Sequence, residues 1–349
     1  MKTIQHREIY SFIKQSLRKV GVNKYSCDAV AHGLCFTSLR GVDSHGINLL
    51  PHYLLSALNG RKNCNPKFKF KKIFPALSVL EADNAFGHAA CLKAINYSTK
   101  IAKKYGIAAV AVKNSSHCGA LATFTLEAAK NGYVAIGFTH ADALVVPPNG
   151  IKPLLGTNPI SFAFPRKKKS PICLDMSTSS ISWNKLLSMG KKQSISPYIA
   201  SDASGNSTTK QKDARGLFPL GGKDFSYKGF CLGVIVELFC SVLTGMKFGN
   251  ELLPMYNTKY KPRKLGQFFI LLRNDISMKN KDYMNYIEKF SRNVYSKKTK
   301  SNNGIKLPGD PEEEILKKRM KNGIPIQSKF ISSLNEIEKK YSLKFNLKI

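Results

Sequence analysis

The sequence predicts a mixed α/β fold, and two alternations of helix and strand in mid-chain carry that prediction. Residues 90–105 have helical spacing and end at Gly106, and residues 107–112 follow as an unbroken apolar run. Residues 120–130 repeat the arrangement: Asn131-Gly132 closes the helix, and residues 133–139 form the next buried strand. Such alternation belongs to an α/β core. The chain has 349 residues, 43% of them hydrophobic, enough for one to three domains with a large core and too apolar for a disordered chain despite a net charge of +33.

The remaining elements follow in order. Ile9, Phe12, Ile13, Leu17 and Val20 recur at helical spacing until Gly21, and a second helix spans residues 26–39. Residues 41–46 are too glycine-rich for a helix interior and form a loop, and residues 50–58 form a third helix. Residues 67–72 alternate Lys and Phe, the pattern of an edge strand with lysines facing out. A loop at 114–119 separates the first buried strand from the second mid-chain helix. A turn-rich stretch at 147–159 precedes short strands at 161–164 and 172–174. Residues 180–226 read as a long polar loop or insertion, 228–245 as an apolar helix and 267–272 as a strand. Residues 280–300 read as a basic amphipathic helix, followed by a Ser-Asn-Asn-Gly loop. Leu307-Pro308-Gly309-Asp310-Pro311 is a turn, and a last charged helix starts near Glu312.

Several classes are excluded or disfavoured. No apolar stretch reaches the roughly 18 residues of a membrane span, and the polar N-terminus is not a signal peptide, so the expectation is a cytoplasmic protein. The eight cysteines form no CxxC pair and the seven histidines show no metal spacing, so no metal site is expected. Only ten of the 55 basic residues are arginine, and the lysines are scattered, which disfavours nucleic-acid binding. The clusters at Arg166-Lys167-Lys168-Lys169 and Lys317-Lys318-Arg319 read as a loop tip and a solvated helix face. The positive field still favours anionic ligands.

G-x-G-x-x-G, a P-loop and G-x-S-x-G are all absent. Two loop histidines remain, His45 in Asp43-Ser44-His45-Gly46 and His117 in Ser115-Ser116-His117-Cys118-Gly119. Each is a proton-transfer candidate with a hydroxyl neighbour to orient it; the alternative is a surface or turn histidine. Asp175, after an apolar run, is either a cofactor-contacting carboxylate or a cap.

Taken together, these motifs resemble the malate/L-lactate dehydrogenase family of the non-Rossmann type, whose members include ureidoglycolate and sulfolactate dehydrogenases, diketogulonate reductases and Δ1-piperideine-2-carboxylate reductases. The matching blocks begin with Leu39-Arg-Gly-Val-Asp-Ser-His-Gly46 and Phe86-Gly-His-Ala-Ala90. Next come Gly106-Ile-Ala-Ala-Val-Ala-Val-Lys-Asn-Ser-Ser-His117, Leu155-Gly-Thr-Asn-Pro159 and Leu174-Asp-Met-Ser-Thr-Ser179. Pro219-Leu-Gly-Gly222, Tyr227-Lys-Gly-Phe230, Gly266-Gln-Phe-Phe269 and Leu307-Pro-Gly-Asp-Pro-Glu312 complete the series in the family's order.

The resemblance implies a homodimer that binds NAD or NADP without a Rossmann fingerprint. It implies a helical domain at 1–75, completed by 305–349, beside a mixed-sheet core at 76–304. It implies interconversion of a 2-hydroxy acid and a 2-oxo acid by hydride transfer, with His45 as proton donor, Ser44 orienting it and His117 as second active-site histidine. Cofactor contacts map to Ile172, Cys173, Leu174, Asp175, Met176 and Ser177, to Tyr227 and Lys228, and to Gly309, Asp310 and Pro311. A His45 pKa near 6.5 would suit reaction in both directions near pH 7. Gly41 and Gly46 would let the backbone approach the ligand. The chain departs from the pattern at Leu49, where the family usually carries an arginine for the substrate carboxylate, and at Pro148-Asn149-Gly150-Ile151. The alternatives are a reductase of a cyclic imino acid, ureidoglycolate or diketogulonate, or a catalytically weakened dinucleotide binder.

Overall fold

Amphipathic helices formed by both ends of the chain meet in one core. The computed structural model describes residues 2–167, 169–190, 193–256, 261–300 and 304–347. Helix α1 (His6–Lys19) buries Ile9, Phe12, Ile13 and Leu17, the stripe its spacing predicts. The side chain of Asn23 accepts a hydrogen bond from the Ser26 amide at 2.8 Å and so starts α2 (Lys24–Leu39). Helix α3 (Leu50–Leu58) carries a proline in its first turn. Leu34, Leu50, Tyr53 and Leu54 pack with Phe330, Leu334 and Ile337 of α10 (Ser328–Tyr341). Strand β1 (Thr3–Ile4) pairs antiparallel with β12 (Ile324–Pro325), tying the two ends together.

The second layer is a seven-stranded mixed sheet. Its members are β2 (Lys69–Phe74), β3 (Leu77–Glu81), β4 (Ile107–Ser115), β5 (Tyr133–Thr139), β6 (Ile160–Phe164), β7 (Ile172–Met176) and β11 (Leu265–Arg273), in the order β2-β3-β4-β11-β5-β6-β7. Only β3 and β4 pair in parallel. Helices α4 (Gly87–Tyr105) and α5 (Ala122–Lys130) cover one face, and α7 (Gly222–Cys240) covers the other. β2 is an edge strand as predicted, with Phe70 stacked on Tyr97 at 4.0 Å and its lysines outside.

Several expectations change. Residues 180–226 are not one loop: they hold α6 (Trp183–Ser188), the short strands β8 (Ala200–Ser201), β9 (Ser207–Thr208) and β10 (Gly216–Leu217), and the start of α7. A small satellite core of Val145, Leu186, Ile195 and Leu217 orders them, with too few apolar residues to show a period. Strand β3 follows a two-residue turn that the sequence reading missed. The last helix is two, α9 (Asp310–Asn322) and α10, divided at Gly323, whose φ of +83° suits glycine. Helix α8 (Asn280–Tyr295) stops five residues early. Lys168 of the basic loop tip and Ser301, Asn302 and Asn303 of the predicted loop lie outside the described residues.

Candidate active site

The loop after α2 carries the Asp43-Ser44-His45-Gly46 motif as a single 3-10 turn. Arg319 of α9 clamps its start, with two guanidinium nitrogens donating to the Asp43 carboxylate at 2.6 and 2.8 Å. The Ser38 hydroxyl accepts from the Ile47 amide at 2.8 Å and holds its end. Gly41 and Gly46 make room for protein rather than for ligand. A Cβ on Gly41, whose φ is +80°, would meet Ile315 at 2.8 Å, and one on Gly46 would overlap Ser38.

His45 and His117 come together from these two loops. Their rings stack with centroids 5.7 Å apart at 25°. Ser44 Oγ lies 2.9 Å from His45 Nδ1, leaving Nε2 for chemistry. On His117, Nδ1 lies 2.7 Å from the Tyr53 hydroxyl and 3.4 Å from the Gly119 amide. An amide N–H only donates, so Nδ1 accepts, Tyr53 donates, and the His117 proton sits on Nε2. Burial pushes the His45 pKa down to about 4, replacing the value near 6.5 expected from the sequence. Burial first, then His45 whenever it is protonated, and the charges of Lys62 and Arg263, hold His117 well below the usual histidine range. Both rings are neutral near pH 7. Asn184 of α6 donates to the Ser44 carbonyl at 3.2 Å and accepts from the Tyr256 hydroxyl at 3.0 Å, closing the loop from outside.

A cleft of about 550 Å³ opens beside Ser44 and His45. Its walls come from α2, the start of α5, β7, α6 and residues 306–312. Of the residues mapped to a cofactor, Cys173, Leu174, Asp175, Met176, Ser177, Gly309 and Pro311 line it. Ile172 and Asp310 do not. The Asp310 carboxylate instead accepts from the Leu307 amide at 2.7 Å and the Tyr295 hydroxyl at 3.0 Å, fixing the turn. Tyr227 and Lys228 lie outside the cleft on α7; Tyr227 is half-exposed, and the Lys228 ammonium sits 5.0 Å above the Phe225 ring. Asp175 satisfies both readings of it. It lines the cleft, and its carboxylate accepts from the Ala122 amide at 2.7 Å, capping α5. Burial raises its pKa to about 6.

The lining fits a dinucleotide. Lys185 offers a cation for a diphosphate, as do Arg40 and Lys306, each of which is also ion-paired with an acid of α9 (Glu313 and Glu314), and Asp175 and Ser177 can meet hydroxyl groups. The sequence reading missed Tyr53, Asn184 and the wall role of Arg40. Each lies far along the chain from the group it serves or carries no motif of its own. Only the position of Arg40 beside the Asp43-Ser44-His45-Gly46 motif could have pointed to it.

The family model for malate/L-lactate dehydrogenases matches residues 4–335. The chain belongs to that family. It is 31% identical to the malate dehydrogenase of Pyrococcus abyssi over 97% of this chain and 94% of that protein. It is 27% identical to the ureidoglycolate dehydrogenase (NAD+) of Escherichia coli K12, over 93% and 92%. The crystal structure of malate dehydrogenase from Entamoeba histolytica superposes with a TM-score of 0.91 at 28% identity, covering 99% of both chains. Related dehydrogenases of the malate/L-lactate dehydrogenase family use NAD+ or NADP+ and act on the hydroxyl group of hydroxy acids. The missing G-x-G-x-x-G is in keeping with this membership, because the mixed sheet here is no doubly wound parallel sheet.

Proposed function

We propose that this chain interconverts a 2-hydroxy acid and its 2-oxo acid with NAD(P), and that His45 moves the proton. The observation that carries the reading is a pair: His45, which lines the cleft with Ser44 Oγ 2.9 Å from its Nδ1, and His117, stacked on His45 with a defined Nε2–H. The bound nicotinamide supplies the hydride exchange at C2. Neutral His45 takes the hydroxyl proton on Nε2 in the oxidative direction. In the reductive direction the imidazolium returns it to the developing alkoxide, and a carboxylate bound nearby raises the His45 pKa toward that form. The Ser44 hydroxyl can accept from a protonated Nδ1 or donate to a bare one, so it supports both states. The His117 Nε2–H is free to hydrogen-bond a substrate oxygen. Residues Cys173 to Ser177, Gly309 and Pro311 would contact the dinucleotide from the cleft walls.

Leu49 favours a variant of the same reading. It is 5% exposed within the helical core and offers no charge to a substrate. A cyclic imino acid, ureidoglycolate or diketogulonate is therefore an acceptor to test beside malate-type substrates.

The chain would act as a homodimer joined through α7. Phe225, Leu232, Ile235, Leu238 and Val242 are exposed along that helix and its end, each at 41–64%. A contiguous apolar stripe of this kind marks a protein interface. Tyr227 and Lys228 would then act in a cofactor site only across such a contact.

The deciding assay follows loss of NADH or NADPH absorbance with oxaloacetate, pyruvate, sulfopyruvate, diketogulonate and piperideine-2-carboxylate. Turnover is expected, and His45→Ala should lower kcat/KM by about 10²–10⁴-fold with cofactor binding kept. Cofactor binding by the wild type without turnover on any substrate would leave a dinucleotide binder in its place.

A further inference from the structure

Behind the two histidines lies a lysine that the proposed mechanism does not use. Lys62 is 5% exposed. Its ammonium donates to Ser116 Oγ at 3.0 Å and rests 4.7 Å above the Tyr53 ring and 5.3 Å from the centre of the Phe86 ring. Among the described residues no carboxylate lies within ion-pair distance of it. Its neighbours do not share its condition. Arg61 donates from all three guanidinium nitrogens to the carbonyls of Lys261, Met255 and Pro254. Arg263 is ion-paired with Asp142 and donates to the Leu253 carbonyl at 2.8 Å. Three buried cations thus have one acid among them in the described residues.

A buried lysine without a counter-charge is costly, and a methionine would fill the same space without that cost. Ser116 gains little from it structurally, because its hydroxyl already donates to the Ala85 carbonyl at 2.8 Å and accepts from the Gly87 amide at 3.0 Å. The location explains the lysine better. Ser116 is the residue before His117, and Tyr53, whose ring the ammonium covers, holds His117 Nδ1. The charge therefore sits one side chain behind His117, the ring whose Nε2–H the proposed function assigns to a substrate oxygen. In a buried site a charge is weakly screened and acts strongly on its surroundings. Leu49 contributes none.

We infer that Lys62 is the specificity-determining cation of this site, the counter-charge that favours a substrate carboxylate placed against His117. The inference rests on the 2-oxo-acid reading. Lys62 works through the field behind His117 and is not a catalytic residue. Burial, with the nearby Arg263 and Arg61 charges, holds its pKa well below the usual lysine range, and an arriving carboxylate offsets that penalty.

The test uses the full chain and the variants Lys62→Met, Lys62→Gln and Lys62→Arg. Each is assayed with the fastest 2-oxo acid of the panel and with the methyl ester of its 2-oxo carboxylate. In Lys62→Met and Lys62→Gln, KM for the acid should rise about tenfold or more, with kcat changed far less and ester turnover unaffected. Lys62→Arg should keep most of the preference for the acid. The cofactor Kd should not move, and the Tm of Lys62→Met should rise, because an unpaired buried charge has gone. Equal losses on acid and ester, or a lowered Tm with KM unchanged, would overturn the inference and leave Lys62 a packing residue. No turnover of any oxo acid by the wild type would remove the functional reading and the inference with it.

Discussion

At the scale of single residues, His45 decides how the site responds to pH. Its pKa is lowered to about 4 by burial, so the neutral, proton-accepting form dominates from mild acid upward. The sign follows directly. Oxidation of a hydroxy acid needs the neutral ring, so its kcat/KM should reach a plateau well below pH 6.5 and stay flat through neutrality. Reduction needs the charged ring, so its kcat/KM should fall steadily as pH rises from 5 to 8. Rate profiles in both directions check this. An acid limb of the oxidation centred at 6.5 or above would count against His45 as the buried base. The motif around His45 was legible in the sequence because its residues are contiguous. The value of its pKa was not, because the surrounding walls come from α2, α5, α6 and residues 306–312.

At the scale of elements, His88 shows how helices and loops are braced. It is fully buried at the second position of α4, and neither ring nitrogen has a hydrogen-bond partner among the described residues. Its ring fills the space a Cβ would take on Gly33 of α2, and Nε2 lies 2.7 Å from the Cβ position of Gly119 in the His117 loop. Gly33→Ala should therefore destabilise the protein by about 1–3 kcal/mol through overpacking. In a His88→Ala background the same change should be neutral or stabilising, because alanine is the better helix former by about 1 kcal/mol. Denaturant melts of the four proteins form the cycle. Additive effects would show that the two residues do not compete for space. Sequence spacing found α2 and started α4 three residues late, but gave no sign that a histidine from one replaces a side chain on the other. Such a contact joins residues 55 positions apart.

At the scale of the whole molecule, two expectations follow. Pairing through α7 implies that Ile235→Glu, at a 49% exposed position, yields a monomer in sedimentation. A variant that keeps the wild-type mass, or a wild type that is itself monomeric, would remove α7 as an interface. Acid stability follows from the histidines. Burial lowers the pKa of His32, His45, His52, His88 and His117. Unfolded, each binds a proton near pH 6.5; folded, only at lower pH. Stability is therefore complete above about pH 6.5 and is lost as pH falls below it. Asp175 acts oppositely, since its raised pKa of about 6 lets the folded chain bind a proton first between about pH 4 and 6. One such group against five leaves the net slope unchanged in sign. Tm measured from pH 7.5 to 4.5 should decline, and a flat curve would refute the balance.

Features that depend on neighbouring residues are legible in the chain before it folds. Gly21 and Gly106 end helices, apolar runs place β4 and β5, and the ordered motifs mark His45, His117 and the family. Composition disfavoured nucleic acid, and no described helix is long and apolar enough to cross a membrane. Folding added what depends on burial and long-range approach. It ordered residues 180–226 around a satellite core, turned Asp310 away from the cleft and set Tyr227 and Lys228 outside it. It also brought Tyr53 onto His117 and enclosed Lys62 behind them. One cause is common to all of these. Backbone preferences act over a few residues, whereas desolvation and charge act through space, between side chains the chain brings together only when it folds.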